Sequence, residues 1–246
     1  MYLYFFNLPA GNTKQQRWCE QIQSRLIGYD IEGTIIQSSI FADSKTSVIQ
    51  AASNEDITTV IIVGDDKTFI QAVQWVAPFN KTIGYVPLER SYFSSFLGMP
   101  SAKDTENICR TLARRRKKEV SAVHINNAFS FYSISAKLNA GDSLSIDNTL
   151  HIKPSAPVRL RIQPQSKKRF AFSLLPDQVE NKKISSVLRK KQGPQQTRLD
   201  CFYISLSSER EPSPTLLIDG YVETTLPAII TPHNQTLRFI IGPKHK

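Results

Sequence analysis

The sequence predicts a two-part fold, an N-terminal α/β domain with a mostly parallel sheet followed by a C-terminal β-sandwich domain. In the first half of the chain, apolar strand-like segments alternate with helix-like segments, the order that produces a parallel sheet with helices on both faces. This alternation stops near residue 118, and short strand-like segments separated by Pro and Gly follow. We therefore expect domains at residues 1–118 and 119–246, and the end of the chain is a candidate to pack back on the first domain.

The elements of the first domain follow from the spacing of apolar residues. The predicted strands are short apolar runs, each followed by turn residues, at Tyr2–Phe6, Tyr29–Ile36, Val60–Val63 and Ile83–Val86. The predicted helices have apolar residues three and four apart, at Gln15–Leu26, Ser44–Ala52 with a Ser cap, Phe69–Val76 and, with many bases, Lys103–Lys118.

The second domain is predicted to begin with a hairpin, because Asn126-Asn127 separates two apolar segments. Further predicted strands are Leu144–Ile152, Val158–Ile162, Arg169–Leu174, Leu199–Leu206, Thr215–Ile218 and Leu237–Ile241. The segment Asp177–Gln196 is polar and charged, and we expect a long mobile loop there.

Composition excludes several classes of protein. The 246 residues contain no run of eighteen apolar residues, so no transmembrane helix is expected. Three widely spaced cysteines, Cys19, Cys109 and Cys201, are typical of reduced thiols in a cytoplasmic protein. Neither the cysteines nor the four histidines have the spacing of metal ligands, so no metal site is predicted among them. Nothing in the sequence fixes an oligomeric state.

The net charge of +10 is concentrated in clusters of bases. The densest cluster comprises Arg110, Arg114, Arg115, Arg116, Lys117 and Lys118. Such clusters favour an anionic partner such as a membrane surface, but they are also typical of a solvated helix face. No aromatic residues alternate with these bases, so we expect no specific nucleic-acid binding. If the clusters bind an anionic membrane surface, we expect the protein in the cytoplasm, peripherally at the inner face of the membrane.

The segment from Thr59 to Thr68 predicts a strand, a tight loop and a helix. In this geometry a loop and a helix N-terminus can hold phosphate. A structural alternative stays open, because Gly64 can serve the turn while Asp66 or Thr68 caps the helix without any ligand.

Three landmarks in the first half resemble the diacylglycerol kinase catalytic-domain family, which includes bacterial lipid kinases and sphingosine kinases. The residues from Asn7 to Gly11 are similar to the family's Asn-Pro-x-Ser-Gly turn. The segment Val63–Thr68 stands where the family has Gly-Gly-Asp-Gly-Thr, and Ile83–Pro100 is similar to its segment beginning Pro-Leu-Gly-Thr-Gly-Asn-Asp. In the second half, Leu217–Gly220 resembles the family's closing Asp-Gly-Glu segment.

The resemblance implies ATP-dependent phosphoryl transfer to a lipid hydroxyl, with ATP and Mg²⁺ as cofactors. It assigns nucleotide binding to Asn7, Gly11, Gly64, Asp66 and Thr68. It assigns the role of general base to Asp219, which stands at the family's catalytic Asp. Asp-Gly is also an ordinary turn, so a structural role for Asp219 is the alternative.

The chain departs from the family pattern where phosphate would bind. Asp65 and Lys67 replace two glycines of the central loop, and Glu89 replaces the first glycine of the next landmark. A side chain at such a position blocks close approach of the backbone, and a carboxylate repels a triphosphate. Two functions therefore remain open, a lipid kinase with degraded phosphate-binding motifs and an impaired pseudokinase that binds lipid or protein.

Overall fold

The chain folds into two compact units in a computed structural model that describes residues 1–7, 13–31, 33–38, 41–176 and 197–243. The first unit comprises Met1–Val120 and Leu237–Lys246, and the second comprises Ser121–Thr236. The division after Val120 lies two residues beyond the boundary expected from the sequence, and the chain re-enters the first unit at Leu237. The predicted loop at 177–196 and the site residue Gly11 lie outside the described residues.

The first unit is built on a six-stranded sheet. Its strands are β1 (Tyr2–Asn7), β2 (Gly33–Ser38), β3 (Thr59–Gly64), β4 (Thr82–Pro87), β5 (Lys117–Val120) and β18 (Leu237–Ile240). Their order across the sheet is β2-β1-β3-β4-β18-β5, and all neighbouring pairs are parallel except β18 with β5, which is antiparallel. The helices are α1 (Thr13–Ile27), α2 (Phe41–Ser53), α3 (Asp66–Val76), α4 (Tyr92–Phe96) and α5 (Thr105–Arg114), with a short 3₁₀ turn at Ala77–Phe79.

The central strands are covered on both faces. Every residue of β3 and β4 is buried, the pattern expected where helices lie on both sides of a parallel sheet. On one face Tyr4, Ile61 and Ile240 pack in a cluster with α1 and α5, to which Ile22 and Leu112 contribute. The α/β prediction for this half of the chain is confirmed.

The second unit contains two six-stranded antiparallel sheets. Their strands are β6 (Val123–Ile125), β7 (Ala128–Ser130), β8 (Ile134–Leu138), β9 (Asp142–Ile146), β10 (Leu150–Ile152), β11 (Val158–Ser166), β12 (Arg169–Pro176), β13 (Thr197–Cys201), β14 (Ile204–Ser208), β15 (Thr215–Ile218), β16 (Val222–Thr225) and β17 (Ala228–Pro232). The sheets are ordered β10-β9-β14-β17-β6-β7 and β13-β12-β11-β8-β15-β16. Alternate residues of both sheets are buried in a single apolar cluster, which includes Leu144, Ile204, Leu160 and Phe172. The predicted sandwich is therefore confirmed.

Several element boundaries in the first unit differ from the prediction. The basic helix expected at Lys103–Lys118 ends at Arg114, because Arg115 has a left-handed backbone with φ of 49° and caps the helix. The strand expected from Tyr29 begins only at Gly33, because residues 29–31 form a hydrogen-bonded turn at the end of α1. The helix α2 begins at Phe41, so Ser44 lies inside it rather than at its cap.

In the second unit, two of the expected strands are each divided into two. The strand expected at Leu199–Leu206 is β13 and β14, and the strand expected at Leu144–Ile152 is β9 and β10. The turn between β9 and β10 places Asp147 and Asn148 at φ of 51° and 56°, a conformation that both residue types tolerate.

Within the described residues, no helix is long and apolar enough to cross a membrane.

Candidate functional site

Four of the six residues predicted for the site lie in the first unit at the carboxyl ends of β1 and β3. Asn7 ends β1, Gly64 ends β3, and Asp66 and Thr68 occupy the first turn of α3. In parallel sheets, ligands bind beside this end of the strands. Asp219 lies in the second unit.

Thr68 is held from two sides by other motif residues. The side-chain amide of Asn7 donates a hydrogen bond of 2.7 Å from Nδ2 to Thr68 Oγ1. A methyl group at Gly64 would lie 2.8 Å from Thr68 Cγ2, closer than side chains normally approach. Gly64 is therefore required for the packing of Thr68, whether or not the loop approaches a ligand.

Asp65 is the N-cap of α3. Its Oδ1 accepts a hydrogen bond of 2.7 Å from the backbone N–H of Thr68, and its own backbone is extended. An N-cap side chain satisfies one of the backbone donors that would otherwise face a bound anion at the helix start. The carboxylate thus occupies the position at which a phosphate oxygen would be held.

Asp66 is turned into the protein. It is 6% exposed, and its Oδ1 accepts a hydrogen bond of 3.0 Å from the hydroxyl of Tyr85 on β4. Its Oδ2 accepts from the backbone N–H of Phe93 at 3.4 Å. Burial, reinforced by the charge of Asp66, raises the pKa of Tyr85, so the hydroxyl stays a donor. Asp66 consequently links α3, β4 and α4.

The residues after β4 also serve a helix start. Ser91 caps α4 by accepting a hydrogen bond of 3.1 Å from the backbone N–H of Ser94. The hydroxyl of Ser94 accepts in return from the backbone N–H of Ser91 at 2.8 Å. This reciprocal capping uses the segment in which the family that the sequence resembles has glycines. The spacing of the two serines carried that signal in the sequence, whereas nothing local indicated Tyr85 as the partner of Asp66.

A cleft of about 210 Å³ opens beside these residues. Its described lining consists of Asn7, Gln15, Asp65, Thr68, Leu88 and Glu89. Two of these six residues are acidic and none is basic, so the described wall repels a triphosphate rather than attracting it. Among the residues that the structure describes, no three His, Cys, Asp or Glu side chains converge as a metal site. The described lining therefore offers no positive charge to a triphosphate, and ATP with Mg²⁺ as cofactors stays a prediction.

Asp219 is enclosed within the second unit at the turn between β15 and β16. It is 2% exposed, and its φ of 49° is followed by 82° at Gly220, the combination of a type I′ turn. Its carboxylate accepts hydrogen bonds from Ser130 Oγ and from the backbone N–H groups of residues 131–133, at 2.6 to 3.1 Å. Burial raises the pKa of Asp219 to about 6, although these donors act in the opposite direction.

This arrangement gives Asp219 a definite structural task. The carboxylate ties the turn between β7 and β8 to the β15–β16 hairpin, and the backbone N–H of Asp219 donates to Ser133 O at 2.7 Å. A carboxylate with four donors has little capacity left to accept a proton from a substrate hydroxyl. The role of general base stays a prediction, as do the roles of the four motif residues as nucleotide ligands.

The whole fold is similar to three structures of Bacillus anthracis str. Sterne proteins described as diacylglycerol kinases. The first two superpose with TM-scores of 0.77 and 0.75 at 14% and 13% sequence identity. The third has a TM-score of 0.76 at 14% identity, and each comparison covers 100% of this chain and 98% of the other. No protein-family model and no curated protein sequence matches the chain. The likeness establishes the lipid-kinase-like fold.

Proposed function

We propose that this chain is a catalytically impaired protein of the lipid-kinase fold that acts as a binding module at anionic membrane surfaces. Catalytic impairment is supported by the cleft at the carboxyl end of the parallel sheet. Its described lining includes the carboxylates of Asp65 and Glu89 and no base. At an effective dielectric constant near 20, two unit charges 4 Å apart interact by about 4 kcal/mol, so each carboxylate opposes a phosphate substantially.

The second candidate is ATP-dependent phosphoryl transfer to a lipid hydroxyl. It is favoured by the full-length likeness in fold to proteins described as diacylglycerol kinases. If this function holds, ATP with Mg²⁺ would be bound by Asn7, Gly11, Gly64, Asp66 and Thr68. Asp219 would act as the general base. The contacts that already engage Asp66 and Asp219 make impairment the better-supported alternative.

Calorimetric titration with ATP and Mg²⁺ tests this proposal. We expect no saturable binding below the millimolar range by the native chain. A double variant, Asp65→Asn with Glu89→Gln, removes both charges while keeping an N-cap and similar side-chain volume. If charge alone blocks a surviving site, this variant should bind ATP at least roughly tenfold more tightly than the native chain. Replacing residues 65, 67 and 89 by Gly also lets the backbone approach a phosphate closely. If neither variant binds ATP more tightly than the native chain, the nucleotide site is lost.

A matched control separates local from general electrostatics. Glu55→Gln with Asp56→Asn removes the same charge from the loop before β3, at the opposite end of the sheet, and should leave ATP binding unchanged. Micromolar binding of ATP by the native chain, or phosphate transfer from ATP to diacylglycerol in mixed micelles, would contradict the impairment.

The membrane part of the proposal rests on the bases around the end of α5. Arg114, Arg116, Lys117 and Lys118 are exposed. Arg110 is also exposed, and its Nη2 lies 3.4 Å from Oε1 of Glu106 on the same helix. Because the helix ends at Arg114 and the lysines belong to β5, the bases do not form the single helical face that the sequence suggested. Each base near an anionic bilayer contributes on the order of 1 kcal/mol at low salt.

Co-sedimentation with vesicles measures this contribution. We expect retention on vesicles containing an anionic lipid at low salt, little retention on neutral vesicles, and release as salt is raised. Replacing Arg114 and Arg116 by Gln should weaken retention. A native chain that stays in the supernatant with anionic vesicles at low salt would show that the bases only solvate the surface.

A further inference from the structure

One end of the sandwich in the second unit brings three turns together. They are the turn between β9 and β10, the tip of the β11–β12 hairpin and the connection between β13 and β14. The strand register places them at the same end. Ile204 at the start of β14 aligns with Ile146 at the end of β9, and Cys201 at the end of β13 aligns with Phe170 at the start of β12. The sandwich corner, as we call this group, comprises residues 147–150, 165–169 and 199–203.

Phe202 is the most exposed apolar side chain of the sandwich corner, at 58%. Its backbone is nevertheless fixed, because Asp147 Oδ1 accepts hydrogen bonds from the backbone N–H of Phe202 at 3.0 Å and of Tyr203 at 2.8 Å. In return, the backbone N–H of Asp147 donates to the backbone oxygen of Tyr203 at 2.9 Å. Three hydrogen bonds therefore hold the backbone of Phe202 in place while most of its ring stays in water, at a cost that burial against an apolar partner would recover.

Two further apolar side chains are exposed in the sandwich corner. Leu150 on β10 and Leu199 on β13 are each 42% exposed. Both stand on edge strands, since β10 ends one sheet of the sandwich and β13 ends the other. Exposed apolar side chains are ordinary when they are scattered singly, but several at one place mark an interaction surface.

Bases lie beside these apolar side chains. Lys167, Lys168 and Arg169 are consecutive at the tip of the β11–β12 hairpin, and all three are exposed. Arg169 directly precedes the residue that pairs with Cys201, so the antiparallel register places it beside Phe202. The sandwich corner thus offers a partner both apolar area and positive charge.

The two acids of the sandwich corner are separated from each other. The carboxylate of Asp147 already accepts the two backbone N–H groups described above. Asp200 is exposed and precedes the buried Cys201, so it lies on the outer face of β13, where it aligns with Ala171 of β12. The three adjacent bases of the hairpin tip are therefore the densest charge that a surface approaching these turns would meet.

We propose that the sandwich corner docks on an anionic lipid bilayer, with the ring of Phe202 among the headgroups and the hairpin-tip bases against their negative charges. Binding to such a surface grows with buried apolar area and with attraction to anionic lipids, and the corner supplies both. A nucleic acid would engage the bases but leave Leu150 and Leu199 in water. The proposal rests on the membrane function proposed above and deepens it, because it adds an apolar contact that the bases around the end of α5 do not provide.

Co-sedimentation of the full chain with vesicles of phosphatidylserine and phosphatidylcholine at low salt is the first test. We expect Phe202→Ser to weaken retention by roughly tenfold, the effect of removing a large apolar group from a buried contact. The matched control is Ile229→Ser, because Ile229 is 52% exposed on β17, outside the sandwich corner. This control should be retained like the native chain.

The bases are tested in the same assay. Lys168→Gln combined with Arg169→Gln should weaken retention by at least roughly tenfold at low salt and by less at high salt, because salt screens their attraction to the lipids. The loss caused by Phe202→Ser should persist at high salt, since burial of apolar area does not depend on charge. Circular dichroism verifies that each variant is folded.

Tryptophan fluorescence then tests insertion directly. Phe202→Trp keeps an aromatic ring at the sandwich corner, and lipids with brominated acyl chains quench a tryptophan that enters the bilayer. Vesicles of such lipids with phosphatidylserine should quench this variant more strongly than the native chain, whose Trp18 and Trp75 belong to the first unit.

The outcomes separate this surface from the membrane proposal as a whole. If Phe202→Ser is retained like Ile229→Ser and Phe202→Trp shows no added quenching, the sandwich corner is overturned. The membrane proposal then survives where Arg114→Gln with Arg116→Gln still weakens retention. A native chain that stays in the supernatant with anionic vesicles would overturn both. A smaller oligomer of Phe202→Ser in size-exclusion chromatography, with unchanged retention on vesicles, would overturn lipid docking and identify the corner as a contact between copies of the chain.

Discussion

Replacing Asp219 by Asn should destabilise the second unit by an amount that depends on pH. The amide oxygen of Asn can take over the three hydrogen bonds that Oδ1 accepts, from Ser130, Tyr132 and Ser133. The amide nitrogen, however, would face the backbone N–H of Phe131, which now donates to Oδ2 at 3.1 Å. Two donors facing each other in a buried site cost about 1–3 kcal/mol, and we expect a loss of this size at pH 7.

The pH dependence follows from the pKa of Asp219, which burial raises from 3.8 to about 6. A raised pKa means that the folded protein holds this proton more tightly than the unfolded chain. The stabilisation is fully present below pH 4 and is lost as the pH rises through 6. The shift of the pKa from 3.8 to about 6 corresponds to roughly 3 kcal/mol of stabilisation. Because Asn does not titrate, the native chain should exceed the Asp219→Asn variant in stability by more at pH 4 than at pH 7.

Urea unfolding followed by circular dichroism at pH 4 and pH 7 measures this difference, and the contributions of all other titrating groups cancel in it. Ser130→Ala is the matched control, because it removes one donor to the carboxylate and keeps the charge. It should destabilise the protein by about 1–2 kcal/mol at pH 7 and by less at pH 4. If the gap between the native chain and Asp219→Asn instead widens as the pH rises, the donors dominate over burial and our reasoning is refuted.

Two further substitutions test contacts that hold each unit together. Gly64→Ala should cost about 1–3 kcal/mol by thermal unfolding, because the new methyl group would lie 2.8 Å from Thr68 Cγ2, and an unchanged melting temperature would show that Thr68 moves aside freely. Arg210→Ala should cost about 3 kcal/mol at pH 7, because it leaves the fully buried carboxylate of Asp142 without its 2.8 Å ion pair. Burial opposes ionisation of Asp142, but Arg210 and the other hydrogen-bond donors outweigh burial and lower the pKa of this carboxyl. The cost of Arg210→Ala should therefore shrink as the pH falls through that pKa. A cost that stays constant with pH would contradict the ion-pair explanation.

The fold could be predicted because its signals are repeated along the chain. Buried strands such as β3 are continuous apolar runs, and strands of the sandwich such as β8 alternate buried and exposed residues. Each pattern is a direct consequence of how many faces of the strand are covered. The end of α5 was missed because Arg115 terminates it in a conformation for which the sequence offers no Gly or Asn signal.

The candidate site was harder to predict, since its contacts join residues far apart in sequence. The carboxylate of Asp66 belongs with Tyr85 and Phe93, and that of Asp219 with residues near 130, so neither could be assigned from its own motif. The roles of Asp65 and Ser91 are local, by contrast. Both cap helices within three residues of themselves, and such spacing is visible in the sequence once helix starts are considered.

The pattern of retained and replaced motif residues has a physical explanation that needs no nucleotide. Gly64, Asp66 and Thr68 each have a partner inside the first unit, so each stabilises the junction of β3 and α3 even without a ligand. Asp65 and Glu89 stand where the resembled family has glycines, and both line the cleft. A lipid-kinase-like fold can therefore keep the motif positions that support its own packing while the positions that would approach a phosphate change. Gly64, Asp66 and Thr68 are therefore evidence for the fold. Only the side chains that face the cleft bear on catalysis.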